Sequence, residues 1–340
     1  MLMNNRYSRQ QLFSPIGQAG QQAMKQKHVL IVGVGALGSA SAEALVRAGV
    51  GKLTLIDRDY VEWSNLQRQQ LYTEQDAQEK LPKVIAAKNR LQQINTEVAI
   101  HVAIMEACTE SLLPLLDDID VIVDATDNFD VRFLMNDLAQ QHRIPWVYGS
   151  CVSSYGATYT IVPGKTPCLR CLLKVMPQTG MTCDTVGIIS PPVQIVAAYQ
   201  VAEVLKLLVG DDKALRKSYL TFDVWQNQHY EINVDKIRQD DCPTCGHHPT
   251  YPSLAYENQT KLEVLCGRDA VQIRPPNPTH YNLEQLADQL RPYGDIHMNP
   301  YLLSCQTEEY RIVIFQDGRV VIHGIQEIQK AKTIYYRLLG

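Results

Sequence analysis

Residues 30–40 read LIVGVGALGSA, an apolar run that breaks into three glycines. A Gly-x-Gly-x-x-Gly turn between a buried strand and a helix lets the backbone approach phosphates closely at a helix N-terminus. On this stretch alone the chain binds a nucleotide, and a nicotinamide dehydrogenase and an ATP-using enzyme fit equally. The flanks agree. HVLIVGVG has the continuous β-branched character of a strand buried on both faces. From Leu37 to Gly49 small and apolar residues recur at helical spacing, until Gly-Val-Gly stops the helix. KLTLIDRD is the next strand, and Asp57 lies about twenty residues after the glycines, where a ribose-binding carboxylate belongs.

At 340 residues the chain can bury a full α/β core and still hold a second small domain. Thirty-two basic and thirty-six acidic side chains give a formal charge of -4. Their signs are mixed, so no electrostatic footprint for nucleic acid is expected. The segment MLMNNRYSRQ lacks an apolar signal region, and no uninterrupted apolar stretch has bilayer-spanning length. A soluble, cytoplasmic protein with no membrane contact is therefore expected. Nine unevenly spaced cysteines in a reducing compartment point to metal or thiol chemistry rather than disulfides.

YSRQ to MKQ reads as a polar N-terminal helical arm. Farther on, LPKVIAAKNRLQQIN is helical, VAIHVAIM and DVIVDATD are strands, and VRFLMNDLAQQHR is a helix before the strand IPWVYGS. This alternation predicts an α/β fold with a doubly wound, mostly parallel Rossmann-like sheet whose carboxyl edges carry the site. Residues 168–192 mix Cys, Gly and Pro and predict a mobile crossing segment rather than one regular element. VQIVAAYQVAEVLKLLVG is a core helix, and SYLTFDVWQNQHYEINV a closing hairpin. Beyond a linker, the tail predicts a small C-terminal α+β domain. It comprises the strand-like KLEVLCGRDAVQIRP, helix NLEQLADQLRPYG, strands YRIVIF and RVVIHG joined at Asp317-Gly318, and helix IQKAKTIYYRLL. The domains are placed at 1–252 and 253–340.

Two features have no obvious job in hydride transfer. Residues 59–84 deliver Asn65, Arg68, Gln69 and Lys83 downstream of Asp57; a triphosphate carries about four negative charges, which fixed cations stabilise. The strand end DATDN carries Asp124, Asp127 and Asn128. A carboxylate there can hold Mg²⁺ against phosphate oxygens, the role favoured for Asp127. For Asn128 an equally good reading is a helix N-cap.

The motifs RYSRQ, GVGALG, DRD, SNLQRQ, LPK, DATDNF, PCLRC, MTCDTVGIISP and CPTC occur in this order from Arg6 to about Gly246. In this the chain resembles the bacterial adenylyltransferases of ubiquitin-like sulfur carrier proteins: molybdopterin-synthase adenylyltransferase and its thiazole-synthesis counterpart, relatives of ubiquitin-activating enzymes. The resemblance implies that a carrier's C-terminal glycine carboxylate attacks the α-phosphate of ATP, giving an acyl-adenylate and pyrophosphate. It implies Gly33, Gly35 and Gly38 in the nucleotide loop, Asp57 on the ribose, and Asp59 and Asn128 among the nucleotide-binding residues. Asn65, Arg68, Gln69 and Lys83 would face the phosphates, and Asp127 would carry magnesium. Arg9 would reach the phosphates of the neighbouring subunit, which makes a homodimer. Between the two pathways the preference here is molybdopterin. The alternatives are an ATP-dependent dehydratase of a modified tRNA base and a non-catalytic nucleotide sensor or scaffold.

Cys168-x-x-Cys171 and Cys242-x-x-Cys245 are paired knuckles roughly seventy residues apart, so that four thiolates can close a structural tetrahedral zinc site. His247 and His248 could compete as ligands. Cys183 matches the family's reactive position, a nucleophile in the thiazole branch or otherwise a spare small residue. Cys108, Cys151, Cys266 and Cys305 lie in apolar or strand-like stretches and read as small buried hydrophobes. The single glycine of YYRLLG does not match the Gly-Gly end of a fused carrier, and Cys266 lacks a rhodanese loop pattern. The tail is expected to serve dimer or carrier contacts.

Overall fold

The computed structural model describes residues 6–175, 186–255, 262–265, 270–273, 280–325 and 327–339. Its larger sheet has eight strands in the order β3-β2-β1-β4-β5-β6-β7-β8. Strands β1 (His28–Val32), β2 (Lys52–Asp57), β3 (Ala99–Ile104), β4 (Val121–Asp124) and β5 (Trp146–Val152) pair in parallel. Strands β6 (Tyr155–Ile161), β7 (Ser218–Asp223) and β8 (Gln228–Asn233) continue the sheet antiparallel.

The unbroken apolar run of β1 follows from its central place. Val29 and Ile31 face a core with Leu45, Val46 and Leu91, whereas Leu30 and Val32 face the opposite core with Leu134, Met135 and Trp146. Burying each such side chain stabilises the fold by roughly 1.5–3 kcal/mol. The strand order reverses between β1 and β4, so a crevice opens where the carboxyl ends of these two strands part. The turn after β1 and the loop after β4 lie there.

The N-terminal arm consists of two helices, Ser8–Leu12 and Gly17–Met24, and it is docked. Met24 is fully buried, Tyr7 Oη accepts a hydrogen bond from Asn95 Nδ2 at 2.8 Å, and Gln10 Nε2 donates to Ala48 O at 2.9 Å. The crossing segment opens on a helix over Leu169–Val175, and its last residues already belong to the helix Ser190–Val209. At its other end Ser153 N donates to Gly187 O at 2.8 Å. Cys183 lies outside the described residues.

The helix Ser190–Val209 is long and apolar enough to cross a membrane by length and composition. It instead packs on β4, β5 and β6, and its buried Gln200 donates Nε2 hydrogen bonds to Asp124 O at 2.7 Å and Val147 O at 3.0 Å.

The second sheet has six antiparallel strands in the order β11-β12-β13-β14-β10-β9. They are β9 (Leu262–Leu265), β10 (Ala270–Ile273), β11 (Asp295–Met298), β12 (Leu302–Gln306), β13 (Arg311–Phe315) and β14 (Val320–His323). Strands β11 and β12 were not anticipated, because the intervening Asn299-Pro300 reads as loop and β11 is too polar to alternate clearly. Gly318, at φ +92°, makes the expected β13–β14 turn. Helices Leu283–Leu290 and Ile328–Leu339 cover one face, and the other meets Tyr60 of the first unit. Cys305 is buried in β12 as expected, whereas Cys108 and Cys151 are half-buried; Cys266 lies outside the described residues.

Candidate active site

Register builds the site. Pairing of Val32 with Ile56 makes Gly33 and Asp57 neighbours, and Gly33 N donates to Ile56 O at 2.8 Å. Gly33 takes φ +87°, and a Cβ there would stand 2.6 Å from Ala125 O. A Cβ on Gly38 would stand 2.0 Å from Gly33 O, so the helix Ala36–Ala48 can abut the turn only with hydrogen at both positions. Gly35 differs. A Cβ there would meet only Gln69 Nε2, at 3.8 Å, so it borders open space. The helix begins beside it with no side-chain cap among the described residues, and with the positive end of its dipole there.

Asp57 closes the turn from the β2 side. Its carboxylate accepts from Val34 N at 2.6 Å and from Asp59 N at 2.7 Å, leaving lone pairs for a ligand hydroxyl. Burial pushes the Asp57 carboxyl up, and the Lys83 cation opposes that shift. Residues 59–61 then pair antiparallel with 81–83: Val61 N donates to Leu81 O at 2.8 Å and Lys83 N to Asp59 O at 2.9 Å. The buried Lys83 Nζ lies 3.2 Å from Asp59 Oδ2. Asn65 and Gln69 are buried on the same segment, and Asn65 Oδ1 accepts from Glu62 N at 3.0 Å. Gln69 Oε1 is buried without a hydrogen-bond partner among the described residues, on the side chain whose Nε2 borders Gly35. Arg68 is half-buried and donates to Ser64 O at 3.0 Å.

At the end of β4 the three polar residues separate by role. Asp124 is fully buried, accepts from Thr126 N at 2.9 Å and Thr126 Oγ1 at 2.8 Å, and pairs with Arg132 Nε at 3.0 Å. Burial pushes its carboxyl up, and the Arg132 cation pulls it back. Arg132 also donates to Thr126 O at 2.6 Å and Gly149 O at 3.0 Å, with the rings of Phe129 and Tyr148 about its guanidinium. Asn128 caps the helix Phe129–His142, accepting from Asp130 N at 2.7 Å. Asp127 remains exposed on the fixed loop. It belongs to no group of three or more ligand side chains among the described residues; a magnesium ion there would complete its shell from phosphate oxygens and water. Arg132 was missed in the sequence, although a lone charge within VRFLM on a helix was a signal.

The four knuckle cysteines do meet. Their sulfurs lie within 4.8 Å of one another, with Cys168–Cys242 and Cys171–Cys245 at 3.6 Å, and all four residues are buried. A tetrahedral ion with bonds of about 2.3 Å holds its sulfurs about 3.8 Å apart, so the set fits a metal. His247 and His248 are exposed and outside it. Arg9 is exposed on the first helix and is not part of the cluster around Gly33 and Lys83.

The class defined by this arrangement is a Rossmann-like protein with a glycine turn, a buried carboxylate and a buried cation at the carboxyl edge of a parallel sheet. Residues 7–244 match the model of the ThiF family, and the chain belongs to that family. The chain is 51% identical over 341 residues to the sulfur carrier protein ThiS adenylyltransferase of Bacillus subtilis, covering 99% of this chain and 100% of that one. It is 35% identical over 243 residues to the molybdopterin-synthase adenylyltransferase of Escherichia coli, covering 71% of this chain and 96% of that one. Its fold is that of E. coli MccB crystallised with ATP: TM-score 0.60 and 24% identity, over 72% of this chain and 75% of that chain. It is thus an adenylyltransferase.

The two helix-side glycines give opposite expectations. Gly38→Ala should destabilise the fold by about 3 kcal/mol, because the clash is with main chain. Gly35→Ala should melt like the parent yet bind ATP less well. Thermal unfolding and calorimetric titration with ATP read the two effects; equal behaviour of both variants would contradict the loop geometry.

Proposed function

We propose that this chain adenylates the C-terminal glycine of a ubiquitin-like sulfur carrier protein of the ThiS type. The carrier's carboxylate attacks the ATP α-phosphate, forming an acyl-phosphate bond as the bond to pyrophosphate breaks; the acyl-adenylate then awaits sulfur transfer. The observation that carries this reading is the convergence of Gly33, Gly35, Gly38, Asp57, Gln69 and Lys83 on one sheet edge. Identity to the B. subtilis relative over essentially the full chain moves the preference from molybdopterin to thiazole synthesis.

In this reading the loop and helix end cradle phosphates, Asp57 holds the ribose, and Asp59 keeps Lys83 directed along the segment that also carries Asn65, Arg68 and Gln69. Asp127 and Asn128 border the phosphates from the β4 side. Asp127 would hold a magnesium ion, whose charge would offset that of the departing pyrophosphate. Positioning and charge neutralisation supply most of the rate, since no group of this chain forms a covalent bond in this step. Arg9 serves the site of a second copy; exposed Leu12 and Phe13 beside it suit burial in a homodimer. The Cys183 thiolate would attack the carbonyl carbon of the acyl-adenylate, forming a thioester as AMP leaves. The four cysteines hold zinc, which staples the crossing segment to the end of the 1–252 unit, and 253–340 is an accessory unit. The setting is cytoplasmic.

Arg68→Ala and Asp127→Ala should each lower carrier-dependent ATP–pyrophosphate exchange by about 100-fold or more with unchanged thermal unfolding. Near-normal exchange would remove these assignments. Metal analysis of reduced protein should find zinc equimolar with chain, and its chelation should lower the unfolding temperature; protein that is folded and zinc-free would contradict the staple.

A further inference from the structure

The second sheet does not dock at a neutral place. The face away from its helices encloses Tyr60 with Leu302 of β12 and Val313 and Phe315 of β13, and the Tyr60 and Phe315 rings lie 6.2 Å apart. Tyr60 is the middle residue of the short pairing that joins Asp59 to Lys83. Polar contacts grip the same pairing at both ends. Arg319, buried against Phe315, donates Nη1 to Arg58 O at 3.0 Å, at the peptide that leads into Asp59. Arg311 Nη2 donates to Tyr60 Oη and to Glu62 Oε1, both at 3.1 Å. Glu62 N in turn donates to Asn65 Oδ1 at 3.0 Å. On the opposing run, Asn299 Nδ2 donates to the carbonyls of Glu79 and Lys80, both at 3.0 Å, and Lys80 Nζ to Ser304 Oγ at 3.1 Å.

We infer that the C-terminal sheet is a positioning element for the nucleotide site, with Arg311, Arg319 and Asn299 setting the segment that carries Asp59, Asn65 and Lys83. Main-chain carbonyls of Arg58, Glu79 and Lys80, the Tyr60 phenol oxygen and the Glu62 carboxylate are what these three side chains hold, so they fix where the backbone runs. A guanidinium held between a phenol oxygen and a carboxylate defines both distance and direction. The family model ends at residue 244, so this support comes from outside the shared region. This departs from the expectation that the tail serves dimer or carrier contacts. The inference rests on the nucleotide-binding half of the proposed function and not on the identity of the carrier.

The test is a charge swap in the full-length protein. Arg311→Glu and Glu62→Arg should each weaken ATP binding, titrated calorimetrically with magnesium, by roughly tenfold, and the double variant should recover most of it. In exchange assays the KM for ATP should rise with the KM for carrier unmoved. A purely structural support would lower the folded fraction and kcat while leaving ATP affinity per folded molecule unchanged. Folded single variants with parental ATP affinity, or a double variant no better than the singles, would overturn the inference. If Arg311→Glu does not fold, Arg311→Lys and Asn299→Ala carry the same test: weaker ATP binding supports it, and parental affinity overturns it. Absence of carrier-dependent exchange in the parent, with ATP still bound, would count against the proposed function alone.

Discussion

The contact between Gly38 and the carbonyl of Gly33 is the constraint on which the site depends. A helix that starts that close to a strand end brings its first N–H groups and a positive dipole to the crevice between β1 and β4. The price is steric, because two neighbouring positions tolerate no side chain. Once the turn is fixed, Val34 N is aimed at Asp57, and Asp57 in turn orders Asp59. The segment to Lys83 then closes back on Asp59, so one backbone path delivers both a ribose-type carboxylate and a buried cation.

Around this turn the chain uses buried charge to hold loops. Asp124 and Arg132 sit inside the protein as a hydrogen-bonded pair whose remaining donors go to Thr126 and Gly149 carbonyls. Such a pair is costly to bury and costlier to break. Its return is a rigid loop on which Asp127 stays exposed. The cysteine tetrad does comparable work at a distance, joining the helix Leu169–Val175 to the residues after β8.

What the sequence disclosed was local. The glycine spacing, the β-branched run of β1, Asp57 at the end of β2 and the two Cys-x-x-Cys pairs are short-range patterns, and the structure assembles them as their spacing implies. What it hid acts over long separations. Arg311 and Arg319 meet residues 58–62 across roughly 250 positions, and nothing near them in the chain marks them as other than surface arginines. Tyr60 looks like a loop tyrosine until the second sheet encloses it. Asn128 had two readings, and the hydrogen bond from Asp130 N gives it the cap. Within the core helix Ser190–Val209, Gln200 and Glu203 interrupt the apolar run, and their hydrogen bonds with Asp124 O and Thr160 Oγ1 of the sheet explain both.

The central claim is that this edge holds ATP so that a protein's terminal carboxylate becomes joined to AMP. Intact-mass measurement of a ThiS-type and a molybdopterin-synthase-type carrier, each incubated with the protein, ATP and magnesium, tests it most directly. The account predicts a mass gain of one adenylyl group on the ThiS-type carrier, lost on treatment with hydroxylamine. Both carriers emerging at unchanged mass from a preparation that binds ATP would contradict it.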